Sequence, residues 1–156
     1  MSRSSFDIVV GATWKTNPHC LARIYAYRPV DREFDFSSVI DIIDIVIDGA
    51  NITSRLPEDS IFTIMHDLVA GLAAIQSGRI DKTIIGFQEA PWELAIQSGG
   101  DAVEISLYCV GFKGDVAVHN RRVEPRELLS EVCYATEVLL DDLLNLNSAF
   151  AKEGTV

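Results

Sequence analysis

Residues 102–110 alternate between apolar and polar side chains, a pattern typical of a strand with one buried face. The segments at 98–101 and 111–115 flank this strand and carry the glycine and aspartate that tight hairpins require. The neighbouring candidate strands lie at residues 82–87, 92–97 and 116–119. Because the connections between them are short, the four segments predict an antiparallel meander.

Two segments have the apolar spacing of amphipathic helices. The first begins near Pro57, which suits a first helical turn, and ends near Gly78, which suits the left-handed residue after a helix. The second runs from Pro125 to about Leu146. Its apolar stripe consists of Leu128, Val132, Ala135, Leu139, Leu143 and Leu146.

The pentapeptide Ala-Ile-Gln-Ser-Gly occurs twice, at residues 74–78 and 95–99. The first copy closes a predicted helix, and the second closes a predicted strand. The flanking sequences differ, so we interpret the match as coincidence and not as an internal repeat. The two copies predict that tertiary context overrides local propensity here.

The segment at 39–48 supports two interpretations. Asp41, Asp44 and Asp48 have helical spacing. Most of the other residues are isoleucine or valine, whose branched side chains favour strands. We interpret the segment as a strand that pairs with residues 51–53.

Two further strands are predicted upstream, at residues 6–13 and 21–27. Together the elements predict a two-layer α+β fold, in which two main helices pack on one face of an antiparallel sheet of about six to seven strands. We expect residues 1–148 to form a single domain, and residues 149–156 to form a flexible tail.

The charge balance restricts the class of partner. The 156 residues include 23 acidic and 13 basic side chains, which gives a formal net charge of −10. A field of this sign repels phosphate backbones and anionic lipid surfaces. We therefore expect no nucleic-acid or membrane partner, and we expect attraction to a basic protein.

Three cysteines, Cys20, Cys109 and Cys133, are widely spaced and form no CxxC motif. An odd number at long spacing argues against a disulfide framework and against a thiolate zinc site. The pattern favours a reducing, cytoplasmic environment. We expect no cofactor and no metal.

Two groups of residues could carry chemistry. Cys109 and His119 could act as nucleophile and base on adjacent strands, although Cys109 has the apolar phase of its strand, where a thiol is inert. The aspartates of 39–48 could bind a cation, but a strand would direct Asp41 to the opposite face from Asp44 and Asp48. A charged, solvated strand edge explains these aspartates more simply. We therefore predict no catalytic residue.

Protein binding is the function that these features favour. Trp92 lies beside two carboxylates in a segment that Pro91 keeps from pairing fully, so it could be an interaction anchor, or it could fill the core. The candidate contact residues are Glu89, Trp92, Glu93, Asp101 and Glu104. We predict a non-enzymatic, acidic protein-binding domain, such as an adaptor, a dedicated chaperone or an immunity-type protein.

Two alternatives remain open. The chain could be a self-associating structural subunit, with a homodimer interface on the last helix. The residues for that interface would be Leu128, Val132, Leu139 and Leu143. The chain could also be a small enzyme that uses Cys109 and His119, or carboxylates.

Overall fold

A computed structural model describes residues 5–30, 33–111 and 114–153. In this part of the chain the fold is α+β, with three α-helices and antiparallel sheets of three, two and four strands. The helices are α1 (Pro18–Ala26), α2 (Ile61–Gln76) and α3 (Pro125–Leu146). The strands are β1 (Phe6–Val10), β2 (Ile40–Asp41), β3 (Ile43–Ile47), β4 (Ala50–Asn51), β5 (Asp59–Ser60), β6 (Lys82–Gly86), β7 (Trp92–Gly99), β8 (Ala102–Cys109) and β9 (Val116–Val123). Short 3-10 helices cover Thr13–Lys15, Phe36–Ser38 and Ser148–Glu153.

The four-stranded sheet is the predicted meander, with strand order β6-β7-β8-β9. Ile85 pairs with Leu94, which pairs with Leu107, and all three side chains are buried on the inner face. The apolar phase of residues 102–110 therefore faces the core, as the alternation predicts. A register shift interrupts the β8–β9 ladder near Asn120, whose φ is +47°.

The isoleucine-rich segment forms strands, which confirms the β-branched interpretation over the helical one. β3 lies between β1 and β4 in the three-stranded sheet. Its hairpin to β4 turns at Asp48 and Gly49, whose φ angles of 52° and 79° match a two-residue turn with both central residues in the left-handed region. The predicted pairing with residues near 51 is present.

The prediction of a strand at 21–27 is wrong, because these residues belong mostly to α1. Asn17 caps the helix, and its side-chain oxygen accepts hydrogen bonds from the backbone N–H groups of His19 and Cys20. Pro18 occupies the first turn, where its missing N–H costs nothing. The buried residues Cys20 and Ile24 are four apart, a helical spacing that we misinterpreted as loose alternation.

The single sheet with two helices is also a wrong prediction. The strands divide into three sheets, and α1 adds a third helix to α2 and α3. α2 begins at Ile61 and not near Pro57, because Asp59 and Ser60 pair with β2 as strand β5. The predicted C-terminus of this helix is confirmed, since Gly78 follows it with a φ of +78°.

The two copies of Ala-Ile-Gln-Ser-Gly adopt different conformations, as predicted. Residues 74–76 end α2, whereas residues 95–99 lie in β7. Their environments differ: Ile96 is fully buried between β6 and β8, and Ile75 is only partly buried. The surrounding fold, and not the five residues, therefore decides the conformation.

Gly71 allows α2 to lie directly against β6. A Cβ atom at this position would come within 2.7 Å of Thr83 Oγ1 and 2.8 Å of Thr83 Cγ2. We expect Gly71→Ala to destabilise the protein by roughly 1–2 kcal/mol, because the overlap exceeds the gain of about 1 kcal/mol in helix propensity. Denaturant unfolding measures this change. Adding Thr83→Ala removes both clashing atoms, and failure of this second substitution to recover stability would contradict the contact.

Phe150 joins the C-terminal segment to the core. Its side chain is 1% exposed and stacks on Tyr27 with ring centroids 4.3 Å apart. Phe34 and Phe36 complete the cluster, with centroids 5.1 and 5.9 Å from Phe150. A 3-10 helix positions this ring in the core, within the segment 149–156 for which the sequence predicts a flexible tail.

Two buried aspartates hold loops against the core. Asp41 is 1% exposed, and its carboxylate accepts hydrogen bonds from Thr13 Oγ1, from the N–H of Trp14 and from the N–H of Ile42. Asp59, its register partner, accepts from the N–H groups of Gln88 and Glu89. The solvated edge that we expected for Asp41 is therefore a wrong interpretation. Hydrogen bonds compensate for the burial of both charges.

Candidate protein-binding surface

The five predicted contact residues fall into two groups on β7 and β8 and in the segments beside them. Glu89, Trp92 and Glu93 lie at the start of β7, whereas Asp101 and Glu104 follow its end at Gly99. Glu104 lies opposite Gln97, four residues along β7 from Glu93, so the nearest members of the two groups are roughly 13 Å apart, since each strand residue adds about 3.3 Å. An interface of about 800 Å² per partner could reach both groups, but the proposed anchor Trp92 is buried.

Trp92 occupies the core position that we considered as the alternative. Its side chain is 7% exposed, and the guanidinium carbon of Arg55 lies 5.1 Å from the ring centroid. Arg55 also forms two hydrogen bonds with the carboxylate of Asp115, at 2.8 and 3.0 Å. These contacts cover the indole, so Trp92 presents little surface to a partner.

The acidic members of the two groups have separate roles. Glu93 lies beside Tyr108, and the pKa of the Tyr108 hydroxyl is raised by burial and then by the neighbouring Glu93 carboxylate. Asp101 accepts a hydrogen bond from Arg122 at 3.0 Å, and the Glu104 carboxylate lies 4.0 Å from the same guanidinium. Glu89 is exposed, and its backbone N–H donates to Asp59.

The residues considered for catalysis are not brought together. Cys109 is buried, its Sγ lies 4.0 Å from the carbonyl oxygen of Val110, and His119 is exposed. The three aspartates of 39–48 also diverge. Asp41 is buried, while Asp44 accepts a hydrogen bond from the Asn51 amide and Asp48 pairs with Arg121.

The predicted homodimer stripe of α3 faces the interior. The stripe side chains are 0–3% exposed and belong to the hydrophobic core. These residues are Leu128, Val132, Leu139 and Leu143. A second chain could contact them only if the core opened, so the folded chain does not offer this stripe as an interface.

A surface that is not among the sequence predictions lies where β1 meets α3. A cleft of about 320 Å³ separates the two elements. Three large apolar side chains on its walls are exposed, namely Val9 at 51%, Tyr134 at 66% and Val138 at 43%. Asp7 and Glu131 line the same cleft. We call these five residues the β1/α3 surface.

The acidic groups of this surface are close to one another. The pKa of Glu131 is raised by partial burial, then by repulsion from and a hydrogen bond with Asp7, and then by repulsion from Glu127. Glu127 accepts a hydrogen bond from the N–H of Phe6 at 3.3 Å, which joins the start of α3 to the outer edge of β1. Lys15 is engaged by Asp142 at 3.1 Å. The Asp7 and Glu131 pair therefore has an excess of negative charge.

A second concavity of about 630 Å³ lies between α2 and α3. Its floor includes the buried side chains of Phe62, Met65, Leu139 and Phe150. His66, which is 80% exposed and forms a 3.3 Å contact with Asp67, stands at its wall. This groove is more apolar than the β1/α3 cleft, and it carries less charge.

A weak signal for the β1/α3 surface is present in the sequence. Tyr134 and Val138 are four apart and lie off the leucine stripe of α3, so they form a second apolar row on its polar side. The side chains of Asp7 and Val9 lie on the solvent-exposed face of β1. Only the packing of α3 beside β1 shows that the two rows adjoin.

No protein-family model, curated protein or solved structure matches this chain. Within residues 5–30, 33–111 and 114–153, no helix is long and apolar enough to cross a membrane. Among the same residues, no group of three or more histidine, cysteine, aspartate or glutamate side chains has the arrangement of a metal site.

Proposed function

We propose that this chain is a protein-binding domain that uses the β1/α3 surface to bind a basic protein. The observation that supports the proposal is the contiguity of three exposed apolar side chains with two adjacent carboxylates. Val9, Tyr134 and Val138 supply apolar area for burial, and Asp7 and Glu131 supply charge complementarity. An apolar centre beside charged groups is the usual composition of a transient interface.

Charge favours a different protein over a second copy of this chain. In a two-fold contact, the same surface occurs on both subunits, so the carboxylates of Asp7 and Glu131 from both copies would be brought into one interface. Like charges opposed in an interface cost several kcal/mol. The net charge of −10 also repels a second copy at long range and attracts a basic protein.

Affinity capture from a lysate of the source cells tests the proposal. We expect the wild-type chain to retain a basic protein that salt releases, because the Debye length falls from about 10 Å at 0.1 M to about 3 Å at 1 M. Glu131→Lys is expected to reduce the recovery of that protein at least tenfold, because it reverses the charge beside Asp7.

Asp101→Lys is the matched control, since Asp101 is also exposed but lies in the β7–β8 turn and does not line the cleft. This variant is expected to retain the protein as the wild type does. Equal recovery by Glu131→Lys and the wild type would contradict the assignment to the β1/α3 surface. Loss of the protein by Asp101→Lys alone would place the interface at the residues predicted from the sequence.

A further inference from the structure

The β1/α3 cleft is bordered by hydrogen-bond acceptors of two kinds. The carboxylates of Asp7 and Glu131 are the first kind. The backbone of β1 supplies the second. The backbone groups of Ser5 and Gly11 bond to the neighbouring strand, at Asp48 and Ile42.

In an antiparallel strand, the backbone N–H and C=O groups of every second residue point to the same neighbouring strand. The backbone groups of Asp7 and Val9 therefore point toward β3, as those of Ser5 and Gly11 do. The carbonyl oxygens of Ile8 and Val10 are therefore directed away from β3. Both residues line the cleft, so these carbonyl groups lie on its side of the strand. The backbone groups of Phe6 point the same way as those of Ile8 and Val10, and the Phe6 N–H indeed donates to Glu127 of α3.

The walls of the cleft suit an aliphatic stem. Val9, Tyr134 and Val138 are exposed around the acidic pair, and the exposed ring of Tyr134 can cover a flexible chain. Lysine and arginine combine an apolar stem with a charged head that needs acceptors. Among protein side chains, these two combine a long aliphatic stem with a head that is cationic at neutral pH.

We infer that the cleft receives one arginine or lysine side chain from the partner, with its charged group between Asp7 and Glu131. This inference rests on the proposed function, and it adds the chemistry of the central contact. The stem packs against Val9, Tyr134 and Val138, and the head donates hydrogen bonds to the two carboxylates.

Binding of the cation is coupled to ionisation. In the free protein, partial burial, Asp7 and Glu127 favour the protonated form of Glu131 and raise its pKa. A cation between the carboxylates favours the ionised form, so affinity rises as the pH increases through the pKa of Glu131. The other charged groups at the cleft, Lys15 and Asp142, are paired with each other.

Blocked octapeptides with apolar flanks and a single variable central residue test the inference. The central residue is arginine, lysine, or citrulline, which is nearly isosteric with arginine but neutral. We expect the arginine and lysine peptides to bind at least tenfold more tightly than the citrulline peptide at pH 7. We also expect their affinity to increase between pH 4 and pH 7.

Two variants locate the effect, and each is first checked for native circular dichroism and thermal unfolding. Glu131→Gln is expected to lose most of the preference for arginine over citrulline and most of the pH dependence. Asp7→Asn is expected to reduce the preference while Glu131 still titrates. Asp101→Asn is the control and should behave as the wild type.

Equal binding of the arginine and citrulline peptides would overturn the inference, as would a preference that survives Glu131→Gln. An absence of binding by every basic peptide would also overturn it. These results leave the proposed function standing if Glu131→Lys still abolishes capture of the partner. If the wild-type chain captures no basic protein, the proposed function itself fails.

Discussion

Asp41→Asn should lower the free energy of unfolding by about 2–4 kcal/mol. The side chain of Asp41 is 1% exposed, and its carboxylate accepts three hydrogen bonds. The NH2 group of an asparagine would replace one of the accepting oxygens and would face an N–H or O–H group that also donates, so at least one hydrogen bond would be lost. The carboxylate occupies the space beside the Gly11 backbone, where an added Cβ atom would lie 2.7 Å from Asp41 Cγ. Urea unfolding followed by circular dichroism measures the change.

Asp44→Asn is the control for this prediction. Asp44 lies three residues away in the same isoleucine-rich segment, but its side chain is only partly buried and accepts a hydrogen bond from Asn51 near the surface. We expect a loss of about 1 kcal/mol or less. If the two variants were equally stable, the hydrogen bonds of Asp41 would not hold the 3-10 helix at Thr13–Lys15 as described.

Phe150→Ala should destabilise the protein by about 3–5 kcal/mol, the usual range for removing a buried phenylalanine. The ring contacts three other aromatic residues, and the cavity left behind would border Tyr27, Phe34 and Phe36. Thermal and urea unfolding, followed by circular dichroism, measure the change. A substantial loss would show that the C-terminal 3-10 helix is part of the cooperative core.

Val116→Ala provides the comparison, because Val116 is 44% exposed on the edge strand β9. This substitution is expected to cost less than about 1 kcal/mol. If Phe150→Ala cost as little, the aromatic cluster would contribute no cooperative stability. The prediction of a flexible tail would then be correct in energetic terms.

Local sequence patterns were sufficient where a strand or helix buries only one face. The alternation of residues 102–110 predicts β8, and the periodic leucines predict α3 with its bounds at Pro125 and Leu146. In both elements the apolar period matches the period of the backbone, so the side chains themselves record which face is buried.

The failures have physical reasons. α1 has only nine residues, and only two of its side chains are buried. The helical periodicity therefore extends over too few residues to be distinguished from the alternation of a strand. The division of the strands into three sheets depends on pairings between distant segments, such as β1 with β3, which no local pattern records. Asp41 was misjudged because its donors come from residues 13 and 14, far from it in sequence.

The candidate surface was the least predictable part. A tryptophan beside carboxylates is typical of an interaction anchor, but the fold uses Trp92 as a core residue under Arg55. The β1/α3 surface combines two residues from the first ten with three from α3. The residue types do not reveal that these side chains are neighbours, because their proximity results only from tertiary packing.

The position of Phe150 in the chain has a consequence for biosynthesis. Ribosomes deliver a protein from its N-terminus, and the rings of Tyr27, Phe34 and Phe36 emerge more than a hundred residues before the ring that completes their cluster. During that interval the apolar surface of these three rings lacks its final partner. The aromatic cluster can therefore form completely only after translation has passed residue 150.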